Sequence, residues 1–146
     1  MIKNYTSTVP ASRSVNRIED RLVKGGAQDI LKIYEDKKLK GIAFTIDVEG
    51  KKMPFKLPAR VEKVEKKLKS AVKRPQQGTY KNIEAQAERT AWKILSDWVD
   101  IQMSLIELDQ AEFLEIFLPY SFNYSTNQTL FEKFKKDGFK QLTYNG

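Results

Sequence analysis

The stretch Ile42-Ala43-Phe44-Thr45-Ile46-Asp47-Val48-Glu49-Gly50-Lys51-Lys52-Met53-Pro54-Phe55-Lys56-Leu57-Pro58 decides the fold. Ile42, Phe44, Ile46 and Val48 alternate with Ala43, Thr45, Asp47 and Glu49, a period of two that makes a strand with one buried face. Glu49-Gly50 is a hairpin turn. Met53, Phe55 and Leu57 then alternate with Lys52, Pro54, Lys56 and Pro58. Pro54 has no amide proton, so this strand belongs at a sheet edge or ends early. Upstream, residues 29–34 carry Ile30, Leu31 and Ile33, and Asp36-Lys37-Lys38 reads as a turn. The expectation is a three-stranded antiparallel meander. Lysines on the solvent side of its third strand discourage edge-to-edge association.

Helical spacing surrounds this sheet. Residues 1–13 lack a period and read as an extended arm or short strand. Ser14 is a candidate N-cap for a helix whose Val15, Ile18 and Leu22 share one face, with Gly25-Gly26 as its stop. Residues 59–73 place Val61, Val64, Leu68 and Val72 on one stripe, with Arg60, Lys63, Lys66, Lys67, Lys69 and Lys73 on the other faces. Pro75-Gln76-Gln77-Gly78 breaks the chain, and residues 75–81 read as the loop joining the sheet and basic helix to the helical half.

The longest helix is expected over residues 82–108. One stripe runs Ile83, Ala87, Ala91, Ile94, Trp98, Ile101, Leu105 and Leu108, and a second runs Trp92, Leu95, Val99, Met103 and Ile106. Two adjoining stripes exceed one ordinary buried face. The helix is either central, which is the preferred arrangement, or contributes part of a homo-oligomer interface. Asp109, with Glu112 three residues on, suggests the cap of the next helix. Pro119 should end that helix, residues 120–127 form a loop, and residues 129–136 make a last short helix with Leu130, Phe131 and Phe134 inward. The fold class is therefore α+β: a single domain, residues 1–146, with the meander packed against a helical C-terminal half around one long central helix.

Composition removes several chemistries. The 146 residues include no His and no Cys, so no disulfide, thiolate nucleophile, Cys/His zinc site or histidine base arises within the chain. No signal-like segment or run of about 18 apolar residues occurs, and the chain reads as cytoplasmic, with no membrane association. The Asn-x-Ser/Thr matches at Asn4, Asn123 and Asn127 are then without consequence.

The net charge of +7 is unevenly placed. Residues 51–81 hold eleven Lys or Arg and two acidic residues, whereas residues 82–118 hold two and eight. The basic segment attracts a polyanion such as DNA or RNA, or the two segments face each other within the chain or between subunits, or the lysines simply make a solvated helix face. The candidate nucleic-acid contacts are Lys51, Lys52, Lys56, Arg60, Lys63, Lys66, Lys67, Lys73 and Arg74, with Tyr80 as a stacking residue. Arg60 and Arg74 carry the bidentate fork suited to phosphate. In the loop around Phe117 to Tyr124, Tyr120 and Tyr124 are candidates for exposure, and Phe117 and Phe122 for the core.

Signals for catalysis are slight. Asp47, Glu49 and Lys51 fall in the order of a Mg²⁺ nuclease site on a strand end, but these are common residue types at a hairpin tip. Asp97 and Asp100, with Glu84 and Glu88, lack the His that helical metal sites pair with carboxylates. Lys93 is spaced to pair with Asp97 or Glu88. No phosphate-binding glycine loop is present. A non-enzyme without cofactor is expected.

Gln86-Ala87-Glu88-Arg89-Thr90-Ala91-Trp92-Lys93-Ile94, Trp98-Val99-Asp100-Ile101-Gln102, Phe117-Leu118-Pro119-Tyr120 and Phe55-Lys56-Leu57-Pro58-Ala59-Arg60 together resemble a family of uncharacterised small proteins of phages and other mobile elements. The similarity spans about Ser14 to Tyr120. It implies such an origin and carries no activity or site residue. The leading expectation is a nucleic-acid-binding accessory protein. The alternative is a protein-interaction module, such as an inhibitor of a host defence, using the Trp92/Val99/Met103 stripe or the aromatic loop against a host or element-encoded protein.

Overall fold

A computed structural model describes residues 2–144. Strands β1 (Gln28–Glu35), β2 (Lys38–Val48) and β3 (Lys51–Pro58) form an antiparallel sheet in the order β1-β2-β3. Both connections are two-residue turns with positive φ, at Asp36 and Lys37 (50° and 64°) and at Glu49 and Gly50 (50° and 80°). Such turns match the right-handed twist of the strands they join. The register sets Ile42 opposite Leu57, Phe44 opposite Phe55 and Ile46 opposite Met53, so the apolar faces of β2 and β3 coincide. Phe44 and Phe55 are fully buried and stack with centroids 5.5 Å apart. Lys56 and Pro58 lie on the opposite face, across from Ala43 and Gly41.

Five helices complete the fold. Helix α1 (Ala11–Lys24) buries Val15, Ile18 and Leu22 and stops at Gly25-Gly26, where Gly26 has φ +99°. Helix α2 is Val61–Ser70 and α3 is Thr79–Glu107. Helices α1 and α2 both pack on α3, which is central as preferred from the sequence. Trp92, Val99 and Met103 share one core with Ile42, Phe44, Phe55 and Leu57. Helix α4 (Phe113–Phe117) closes this core with a ring cluster. Phe113 stacks on Phe117 at 4.4 Å and meets Phe55 edge to face at 5.1 Å. Aromatic pairs of this kind contribute about 0.5–1.5 kcal/mol each beyond the area they bury. A 3-10 turn (Leu118–Tyr120), a small hairpin of β4 (Phe122–Asn123) and β5 (Gln128–Thr129), helix α5 (Leu130–Lys136) and a further 3-10 turn (Lys140–Leu142) follow.

Several local expectations are corrected. Helix α1 begins three residues before Ser14, because Pro10 enters with φ −58° and starts the turn; Ser14 lies inside the helix, fully buried. Residues 79–81 belong to α3 and not to the preceding loop. Asp109 adopts φ +57° and ends α3, while Glu112 takes the position before α4 and its N–H donates to the Glu115 carboxylate at 3.2 Å. Pro119 sits within the 3-10 turn. The segment expected as a loop contains the β4–β5 hairpin, whose two-residue strands are too short to show a period. Phe131 is 42% exposed, not inward.

The N-terminal segment is docked on α3 by polar contacts. The Asn4 carbonyl accepts from the Thr90 hydroxyl at 2.9 Å, and the Ser7 carbonyl accepts from Gln86 and Arg89. Asn4 also donates to Asp97 at 2.9 Å. Among the described residues, no helix is long and apolar enough to cross a membrane.

Candidate nucleic-acid interface

Helix α2 is amphipathic: its apolar side is aliphatic, and its far side carries three lysines together with Glu62 and Ser70. Val61, Val64 and Leu68 lie half-buried along α3, and Lys63, Lys66 and Lys67 are exposed on the opposite side. Residues three and four apart are neighbours on a helix surface, so these three form one cluster.

Both carboxylates of α2 are engaged by lysines outside that cluster. Glu62 pairs with Lys40 of β2. Glu65 pairs with Lys69 at 2.8 Å, and Lys69 also reaches Glu84 on α3 at 3.4 Å. The hydrogen bond from Lys69 holds the Glu65 carboxyl below its ordinary value, and the same contact raises Lys69. The acidic segment therefore meets the basic one through Lys69. Arg60, Lys63, Lys66, Lys67, Lys73 and Arg74 form no ion pair among the described residues.

Other sequence-predicted residues fall elsewhere. Lys51 and Lys52 sit at the β2–β3 hairpin tip, about 15 Å along the strand from Lys56 at roughly 3.3 Å per residue. Lys52 is held by Asp29 at 2.9 Å, a contact that raises the lysine and lowers the aspartate. Lys56 is half-buried, its ammonium 5.3 Å from the Phe122 ring centroid. Tyr80 is 46% exposed but lies at the α2–α3 seam, with the Lys69 ammonium 5.4 Å from its ring centroid. Lys73 and Arg74 are exposed in the segment that follows the end of α2.

Beside the start of α2 opens a cleft of about 640 Å³. Its floor is the outer sheet face at Ile33, Lys56 and Pro58. One wall is Arg60 and Lys63, and the other comes from Pro119-Tyr120 and from Phe131, Glu132 and Lys135 at α5. Two of its carboxylates already have partners: Glu62 holds Lys40, and Glu132 accepts the Thr129 N–H at 3.0 Å in the cap of α5. A neutral N–H leaves the Glu132 charge in place, so the charges outside the Lys40–Glu62 pair are Lys56, Arg60, Lys63 and Lys135 against Glu35 and Glu132. Arg60 and Lys63 thus belong both to the cleft and to the helix face.

Lys40 and Lys135 were not singled out by the sequence, and Phe131 was expected to face inward. They reach the cleft from β2 and α5, remote in the chain from the basic run. Of the aromatic loop, Phe117 is fully buried, Tyr124 is 58% exposed, and Tyr120 and Phe122 are half-buried.

Asp47 stands directly across the hairpin from Lys52, Lys51 is opposite Val48, and Glu49 occupies the turn. Asp97 is engaged by Lys93 and Asn4, Asp100 by Arg21, and Glu84 by Lys69. Among the described residues, no group of three Asp, Glu, His or Cys residues converges to hold a metal ion. The Trp92/Val99/Met103 stripe is buried in the core and is unavailable to a partner.

Comparison with family models, curated proteins and solved structures gave no match.

Proposed function

We propose that this chain binds nucleic acid through its phosphate backbone and acts as a non-enzymatic accessory protein, in keeping with the mobile-element resemblance of its sequence. One observation carries the reading: Arg60, Lys63, Lys66 and Lys67 share an open surface, while the carboxylates of the same helix are occupied by Lys40 and Lys69. An unpaired cationic cluster of this kind attracts a polyphosphate and releases its counterions.

The test is a fluorescence anisotropy titration against single- and double-stranded DNA and RNA at several salt concentrations. Affinity should fall steeply as salt rises, with a log–log slope of about −0.9 per phosphate contact on duplex DNA. Replacing Arg60, Lys63 and Lys67 together by Glu should abolish binding with the thermal melt preserved. Binding retained in that variant defeats the proposal.

A protein-interaction role has a different observation behind it. Ile101 on α3 and Leu108, the residue that follows its last turn, are 56% and 67% exposed. A salt-tolerant stoichiometric complex lost in Ile101→Asp, together with no affinity for nucleic acid, would favour that reading.

A further inference from the structure

We propose that the cleft at the head of α2 accepts one unpaired nucleotide, so that the protein prefers single-stranded nucleic acid to duplex. This rests on the phosphate-binding reading and adds a base-binding function to the same surface.

The lining has the two chemistries that a nucleotide presents. Its apolar part is Tyr120 and Phe131 on one wall with Ile33 and Pro58 on the floor. Phe131 is 42% exposed despite its size, and Tyr120 is half-buried. Exposed or partly exposed rings offer a face on which any base can stack. The polar part keeps an excess of cations outside the Lys40–Glu62 pair: Lys56, Arg60, Lys63 and Lys135 as donors to phosphate, against Glu35, an acceptor for a base amino group, and the capping carboxylate of Glu132. A purely phosphate-binding groove has no use for the rings, and a purely apolar pocket has no use for the surrounding cations.

Continuity with α2 argues for a chain and against a free nucleotide. Arg60 and Lys63 form one wall of the cleft, and Lys67 lies one turn beyond Lys63 on the same helix face. Helix α2 is about 15 Å long at 1.5 Å per residue, long enough for its lysines to follow successive phosphates leaving the cleft. A paired base within a duplex presents no free ring face to Tyr120 or Phe131, so duplex can use only the helix face.

The experiment compares wild-type protein with Phe131→Ala and Tyr120→Leu. Its probes are single-stranded DNA and RNA oligonucleotides carrying 2-aminopurine, and a matched duplex DNA. Phe131→Ala is the main variant because its ring is the more exposed. Tyr120→Leu is read only with an unchanged melting temperature. Wild-type protein should bind one or both of the single strands at least tenfold more tightly than duplex and should change the 2-aminopurine emission of the strand it prefers. Phe131→Ala should lose most of that difference and the emission change while keeping its duplex affinity. Equal wild-type affinity for single strand and duplex, or a Phe131→Ala variant that keeps the preference and the emission change, overturns the base-binding cleft and leaves the phosphate reading standing. No binding of any probe by wild-type protein removes both. A response to DNA but not RNA, or the reverse, identifies the sugar that the site accepts.

Discussion

The ring of Tyr120 meets that of Trp98 at 65° with centroids 5.7 Å apart, and Trp98 meets buried Phe117 at 5.5 Å. One wall of the cleft is thereby fixed to the central helix through two edge-to-face contacts. Trp98→Ala removes both. It should cost somewhat less than the ~3–5 kcal/mol of a fully buried aromatic in urea unfolding, because Trp98 is only partly buried. It should also weaken single-strand binding in protein that remains folded, because Tyr120 loses its support.

The two kinds of lysine on α2 should separate in a salt titration. Lys66 is exposed and without an ion pair among the described residues, whereas Lys69 is shared between Glu65 and Glu84. Lys66→Gln should reduce the magnitude of the log–log salt slope on duplex DNA by about 0.9, the loss of one phosphate contact. Lys69→Gln should leave the slope unchanged. Equal effects from both would show that the ion pairs of Lys69 do not keep it from phosphate.

Acid should loosen the N-terminal segment through Asp97. Burial pushes this carboxyl up, but hydrogen bonds from Lys93 and Asn4 outweigh it and hold the group below its ordinary value of 3.8. A carboxyl lowered in the folded state contributes stability above its unfolded value and loses it as pH falls through the folded one. That contribution should therefore be intact at pH 5 and decline as pH drops below about 4. Asp97→Asn should lower the melting temperature at pH 7, consistent with a lost charge-assisted bond of about 1.5–3 kcal/mol before screening. It should also flatten the acid-side dependence. Melting curves from pH 6 to pH 3 check both.

Glycine positions divide by mechanism. A Cβ on Gly41 would lie 2.9 Å from the Leu57 carbonyl oxygen, a backbone atom of the adjoining strand with little room to yield. Gly41→Ala should cost about 1–3 kcal/mol, as overpacking does. At Gly26 a Cβ meets open space, but φ is +99°. Gly26→Ala should therefore destabilise through backbone strain of about 1–2 kcal/mol. Equilibrium unfolding of the two variants gives these differences directly.

The sheet was legible because its alternation and both turns are local, and register then follows from matching apolar faces. The same was true of the buried face of α1, where Val15, Ile18 and Leu22 repeat with helical spacing. Helix starts were less legible. Ser14 and Asp109 have good cap side chains, yet the chain direction set by Pro10 and the left-handed turn at Asp109 decide where the helices begin and end. The cationic face of α2 could be read because Lys63, Lys66 and Lys67 are sequence neighbours. The cleft could not, since Ile33, Arg60, Tyr120 and Phe131 meet only after the C-terminal segment folds back over β3. The isolated bridge between Phe55 and Ser121 marks that return.

Helix α5 spans seven residues, and none of its side chains is fully buried. Its first turn is closed by the reciprocal cap between Thr129 and Glu132, and it is tied to the fold by the Leu130 N–H donating to the Ser121 carbonyl at 2.9 Å and by half-buried Leu130 and Phe134. Few buried apolar contacts mean a low local opening free energy. The side of the cleft carrying Phe131 and Lys135 is thus its least firmly held part. Amide exchange should be fast along α5 in the free protein and slow sharply once an oligonucleotide is bound. Part of the binding energy will then go into ordering that helix, leaving measured affinity below what the contacts alone would give.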